Sequence, residues 1–210
     1  MRRLGIVTAL VLVAVTGVVA GCGGSGASHV RILSSSIPTG EDAALVKELL
    51  TVADLPTGWA IDNRDSDTND PKWPFKVPDS AKAIAKADTS FAKGSMPQLQ
   101  EQLGLYSDGP SSFVAYVDGY DHIKSLDYSS DGEKVSLAFG RMSFPAMGDE
   151  SAAYSISGSI KGFTIGGAMV VVRTGNKMLA LLLFDLGSVD TMQLEEFATD
   201  ALAKVPAAAQ

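Results

Sequence analysis

At 210 residues, with 46% hydrophobic and 20% charged side chains, the chain has the size and composition of one folded domain. Its formal charge of −7 sets it against phosphate backbones and anionic lipid headgroups, which excludes nucleic acid as an expected partner and a basic patch as a membrane anchor. A single cysteine excludes an internal disulfide, so stability has to come from a packed core.

The N-terminus opens with Met1-Arg2-Arg3 and continues into an uncharged run from Leu4 to Val19. Basic start and apolar centre match a secretory signal peptide. The run is short for a membrane span, which takes about 20 apolar residues. It closes on Val19-Ala20-Gly21-Cys22, an aliphatic residue, two small ones and the lone cysteine. This resembles the lipobox of bacterial lipoproteins. The resemblance implies a diacylglycerol on the Cys22 sulfur, acyl chains such as palmitate, and cleavage between Gly21 and Cys22. Two acyl chains, at about 0.8 kcal/mol per buried methylene, give stable attachment where a single chain is marginal. Residues 1–21 are therefore expected to be a signal peptide, and losing Arg2 and Arg3 takes the charge from −7 to −9.

Residues 22–42 are rich in Gly and Ser and are expected to form a flexible tether, on the order of 65 Å long when fully stretched. Val30 to Leu33 is an apolar island within it. The folded domain is expected at 43–206. "AALVKELL" from Ala43 predicts a short helix with Leu45, Leu49 and Leu50 on one side, continuing through Val52–Leu55 to Pro56. Gly58 to Ile61 reads as a strand. The Pro-rich stretch from Asp62 to Ser80 reads as a long loop, a common setting for binding.

In that loop Asp65, Asp67 and Asn69 match the first oxygen ligands of an EF-hand calcium loop, but Asp70 stands at the turn glycine and Lys76 at the bidentate glutamate. No metal site is expected there. Trp73 and Phe75, set among prolines, either clamp the loop to the core or form an exposed ridge.

Ser80–Ala87 has the composition of a short helix and Thr89–Ala92 that of a strand. From Gln98, Leu99, Glu101, Leu103 and Leu105 alternate with glutamines, the period of a strand with one wet face. Phe113, Tyr116, Val117, Tyr120 and Ile123 fall at helical spacing after Pro110 and predict an amphipathic helix. Strands follow at Lys134–Phe144, Ser151–Ile160 and Thr164–Arg173, and Gly175-Asn176 turns the last into Lys177–Asp185. "AMVVV" and "MLALLLF" are continuous apolar runs, as in central strands covered on both faces. A closing helix carries Leu194, Phe197, Ala198, Ala201, Leu202 and Val205 on one stripe, with Asp190 and Gln193 placed as a capping box.

These elements predict a single α+β domain, an antiparallel sheet with packed helices. If the helices from Pro110 and from Asp190 share one face, the first helix and the long loop cover the other and close the core. Alternatively, the sheet curls around an apolar cavity.

Catalytic signatures are absent from the sequence. His29 lies in the tether, and His122 stands four residues after Asp118 on a helix with no cysteine or G-x-S-x-G serine to activate. There is no H-E-x-x-H or P-loop, and the glycines of "GFTIGG" open a strand rather than a helix. The chain is expected not to be an enzyme and to use no cofactor.

"LLTVADLPTGW", "GDESAAY" and "VVVRTGNKMLALLL" with the closing helix resemble the exported domains of actinobacterial lipoproteins and the extracellular sensor domains of serine/threonine kinases of that group. The resemblance implies a twisted antiparallel sheet and a cleft suited to a ligand. Those kinase domains usually carry disulfides, which the part of this chain after Cys22 cannot form. The expected role is a ligand-binding or sensor-like lipoprotein on the extracytoplasmic face of the cell membrane, held by its acyl chains and meeting an envelope ligand or protein partner. The alternatives are a lipid carrier with an apolar cavity and a structural subunit of an envelope complex.

Overall fold

Eight strands pair edge to edge, every neighbour antiparallel, around an apolar centre built from the last two hairpins. The computed structural model describes residues 40–62, 83–130, 133–160 and 162–206. Gly21, Cys22, His29 and the run holding Asp65, Asp67, Asn69, Trp73 and Phe75 lie outside the described residues.

In chain order the elements are α1 (Gly40–Val46), a 3₁₀ turn (Val52–Asp54), β1 (Ala60–Ile61), β2 (Ala83–Ala92), β3 (Gln98–Tyr106), α2 (Gly109–Asp121), β4 (Ser125–Ser130), β5 (Glu133–Arg141), β6 (Glu150–Ile160), β7 (Phe163–Thr174), β8 (Lys177–Leu186) and α3 (Thr191–Lys204). The sheet order is β1-β2-β3-β8-β7-β6-β5-β4, a single α+β domain as the sequence predicts. β7 and β8 are apolar on both faces because both faces are covered. Gly175, at φ 57°, supplies the left-handed turn between them that other residues enter only at a cost.

One face carries α1, the 3₁₀ turn and α3. Leu45, Leu49, Leu50, Leu99, Leu103, Val170, Leu181, Leu194 and Phe197 pack together there. The other face carries α2, whose Phe113, Tyr116 and Tyr120 meet Tyr154, Met169, Val171 and Leu182. Each such side chain contributes about 1.5–3 kcal/mol on burial. Among the described residues, packed apolar clusters thus cover both sides of the central strands.

Asp190 caps α3 by accepting the amides of Met192 at 3.0 Å and Gln193 at 3.2 Å. Asp108 caps α2 through the Ser111 amide at 3.1 Å, with Pro110 in the first turn. Between them Gly109 fits directly against the β7–β8 turn. Its amide donates to Asn176 Oδ1 at 3.1 Å, and a Cβ there would collide with the Gly175 carbonyl.

Two expectations are corrected, and two features are new. The stretch from Ala83 to Ala87 is strand, not helix, because β2 pairs with β3 from Ala83 to Ala92 with one register shift at Ile84. The first helix stops at Val46, and Val52–Asp54 forms a separate 3₁₀ turn rather than its continuation. α2 and α3 cover opposite faces of the sheet, so the condition under which the first helix and the long loop alone would cover the second face is not met. β4, which the sequence does not predict, forms an edge by pairing with β5.

Candidate functional site

The predicted lipidation and cleavage residues, Cys22 and Gly21, are outside the described residues, so the described site is sought in the polar groups that the fold shields. His122 is not among them. It caps the C-terminus of α2 with Nδ1 2.7 Å from the Asp118 carbonyl oxygen and 3.8 Å from Asp118 Oδ1, and its side chain is 78% exposed.

One half-exposed polar centre lies at the end of α2. Arg141 of β5 places Nε 2.5 Å from Asp121 Oδ1 and Nη2 2.9 Å from Oδ2, a two-pronged grip. Tyr154 of β6 brings its hydroxyl 3.1 Å from Asp121 Oδ1 and 3.3 Å from the Val117 carbonyl. The Arg141 guanidinium stands 5.0 Å from the centre of the Tyr154 ring, which stacks on Phe139 at 5.0 Å. Hydrogen bonding from Arg141, against the opposing effect of burial, holds the Asp121 carboxyl below the usual range. Burial pushes the Tyr154 hydroxyl up.

The second centre is on the α3 face. Glu101 of β3 is 1% exposed, and its Oε2 accepts the Leu50 amide at 2.8 Å. Asp54 Oδ2 accepts from Thr51 Oγ1 at 2.7 Å, from the Thr51 amide at 2.7 Å and from Lys204 Nζ at 2.6 Å. Trp59 packs edge-on against Phe197, ring centres 5.4 Å apart.

The third feature is a polar row on the α2 face of β2 and β3. Strand alternation sends Ala85, Ala87, Phe91, Leu99 and Leu103 to the α3 side. The intervening positions, Lys86, Asp88 and Ser90 on β2 and Gln98, Gln100 and Gln102 on β3, face the other way and are half-buried. Register sets Asp88 directly opposite Gln102 and Ser90 opposite Gln100, with Gln98 opposite Phe184 of β8. Burial lowers the Lys86 pKa. Gln100 Oε1 is buried with no hydrogen-bond partner among the described residues. Amides, a hydroxyl and one charge of each sign give this row donors and acceptors in fixed positions, the chemistry of recognition rather than bond breaking.

Asp121 and Asp54 are each held as anions by a cation, which makes them weak proton acceptors for the hydroxyls beside them. Among the described residues no group of three or more His, Cys, Asp or Glu is placed to hold a metal ion. The sequence pattern predicts the glutamines as one wet face and does not point to the other polar centres. The signal for Glu101 was present, since a carboxylate in phase with Leu99, Leu103 and Leu105 is carried to the apolar side.

The class defined by these observations is an α+β domain with a single antiparallel sheet, helices on both faces and shielded polar centres. No protein family and no curated protein matches the sequence. Among solved structures the chain is similar to the extracellular domain of PknH from Mycobacterium tuberculosis, with a TM-score of 0.46, 5% identity, and coverage of 57% of this chain and 63% of that one. Among the described residues no helix is long and apolar enough to cross a membrane.

Proposed function

We propose that the protein is a lipid-anchored domain on the extracytoplasmic face of the cell membrane, which binds or senses an envelope ligand and performs no catalysis. The observation that carries the anchoring is Val19-Ala20-Gly21-Cys22, placed behind a basic start and an apolar run too short to span the bilayer. Gln100 Oε1, buried in the polar row with no hydrogen-bond partner among the described residues, supports ligand binding, because such a group costs stability unless something uses it. The acidic charge fits a partner other than nucleic acid.

Intact-mass analysis of the protein extracted from membranes tests the anchor. The expected species begins at Cys22 and carries a diacylglycerol, with palmitate among its acyl chains, and Cys22→Ser abolishes that modification. An uncut leader or an unmodified thiol on the membrane-extracted protein overturns the reading.

A further inference from the structure

β3 carries a carboxylate where the adjoining inward positions carry leucine. Glu101 stands between Leu99 and Leu103, opposite Thr89 of β2 and Leu181 of β8. Its Oε2 has one donor, the Leu50 amide at 2.8 Å, and its Oε1 is buried with no hydrogen-bond partner among the described residues. A carboxylate in that setting is tolerated as the neutral acid and is costly as the anion.

The donor belongs to residues 47–55, the strap that joins α1 to the 3₁₀ turn and runs over the sheet. Its other fastenings are the burial of Leu49 and Leu50 and the pair Asp54–Lys204 at 2.6 Å, with Glu48–Lys177 at 2.6 Å beside it. We propose that this strap is a proton-operated latch: a proton on Glu101 keeps residues 47–55 closed on the sheet, and loss of that proton lets them lift.

The neighbouring charges do not supply a substitute for the proton. Asp54 on the strap repels an anion at Glu101, and Lys204 of α3, which attracts one, is already engaged by Asp54. Lys177 of β8 is engaged by Glu48, and β2 offers the uncharged Thr89. Burial raises the Glu101 pKa from 4.5 to about 8; the Leu50 hydrogen bond and Lys204 oppose that rise and Asp54 adds to it. With the strap lifted, the carboxyl meets water and returns toward 4.5. Between these values the closed form holds a proton that the open form lacks, so closure weakens about tenfold for each unit of rising pH and levels off above about 8.

Hydrogen exchange read by mass spectrometry on the intact purified protein tests the latch without reference to the anchor. Corrected for intrinsic exchange, protection of residues 47–55 is expected to fall about tenfold per pH unit up to about pH 8. In Glu101→Gln, a neutral isostere that still accepts the Leu50 amide, protection is expected to be flat. A flat wild-type profile, or an equal slope in both proteins, overturns the proposal. If the variant fails to fold, a carboxyl-carbon NMR titration of the wild-type protein decides: a Glu101 midpoint near 8 supports the latch, and one near 4.5 overturns it.

Discussion

Lys204, in the last turn of α3, sets its ammonium 2.6 Å from Asp54 Oδ2 in the 3₁₀ turn, across 150 residues of chain. Burial alone would raise the Asp54 pKa, but hydrogen bonds from Lys204 and from the Thr51 side chain and amide outweigh it and lower the carboxyl below 3.8. The stability this adds is present above pH 3.8 and is lost as pH falls through the lowered value. Asp54→Asn is expected to flatten the acid limb of a urea-denaturation series against pH. Near neutrality it should cost only about 0.5–1 kcal/mol, because both side chains are partly exposed and screened.

The Arg141, Asp121 and Tyr154 centre couples three elements through one carboxylate. Tyr154→Phe removes a buried hydroxyl and is expected to cost about 1 kcal/mol. Arg141→Met gives up a half-exposed ion pair and the contact with the Tyr154 ring, for a similar or smaller cost. A double-mutant cycle between them should show a coupling of about 0.5 kcal/mol or more, whereas strict additivity would mean that the hydroxyl and the guanidinium act on Asp121 independently.

Leu103 is fully buried in the cluster on the face that carries α1 and α3. Leu103→Ala should destabilise by about 2–5 kcal/mol, the range for deleting a buried leucine. Phe197→Ala should cost about 3–5 kcal/mol and also free the edge of Trp59, shifting its fluorescence to the red. Equilibrium unfolding followed by tryptophan emission reads both.

The polar row separates a binding role from a structural one. If Gln100 and Gln102 serve a ligand, replacing both by leucine should leave stability unchanged or raise it by about 0.5–1 kcal/mol, since apolar residues suit a half-buried face. A loss of about 2 kcal/mol or more would mean that these amides hold the sheet together. Thermal unfolding of the single and double variants distinguishes the two outcomes.

Much of the C-terminal half was legible because its signals are local: continuous apolar strands, a glycine turn and a capped helix with one stripe. β2 was misread because Ala83, Ala85 and Ala87 carry the composition of a helix, whereas pairing with β3 imposes the extended chain. Small inward alanines are what let α1 lie close on that strand, and they suppress the alternation that would have revealed it. β4 offers only "SLDYSS" and owes its state to β5. Which face each helix covers depends on crossings between strands distant in sequence, and no local pattern records those. The polar row followed from the glutamine alternation on β3 but not from β2, where Lys86 lay inside the stretch read as helix and Asp88 fell between it and the short strand from Thr89.

The β3–β8 pairing joins residues 98–105 to 177–184 in the middle of the sheet. Contacts so far apart in the chain come late in folding, because a long loop must close before they form. The apolar centre therefore stays incomplete until the last fifth of the polypeptide is in place.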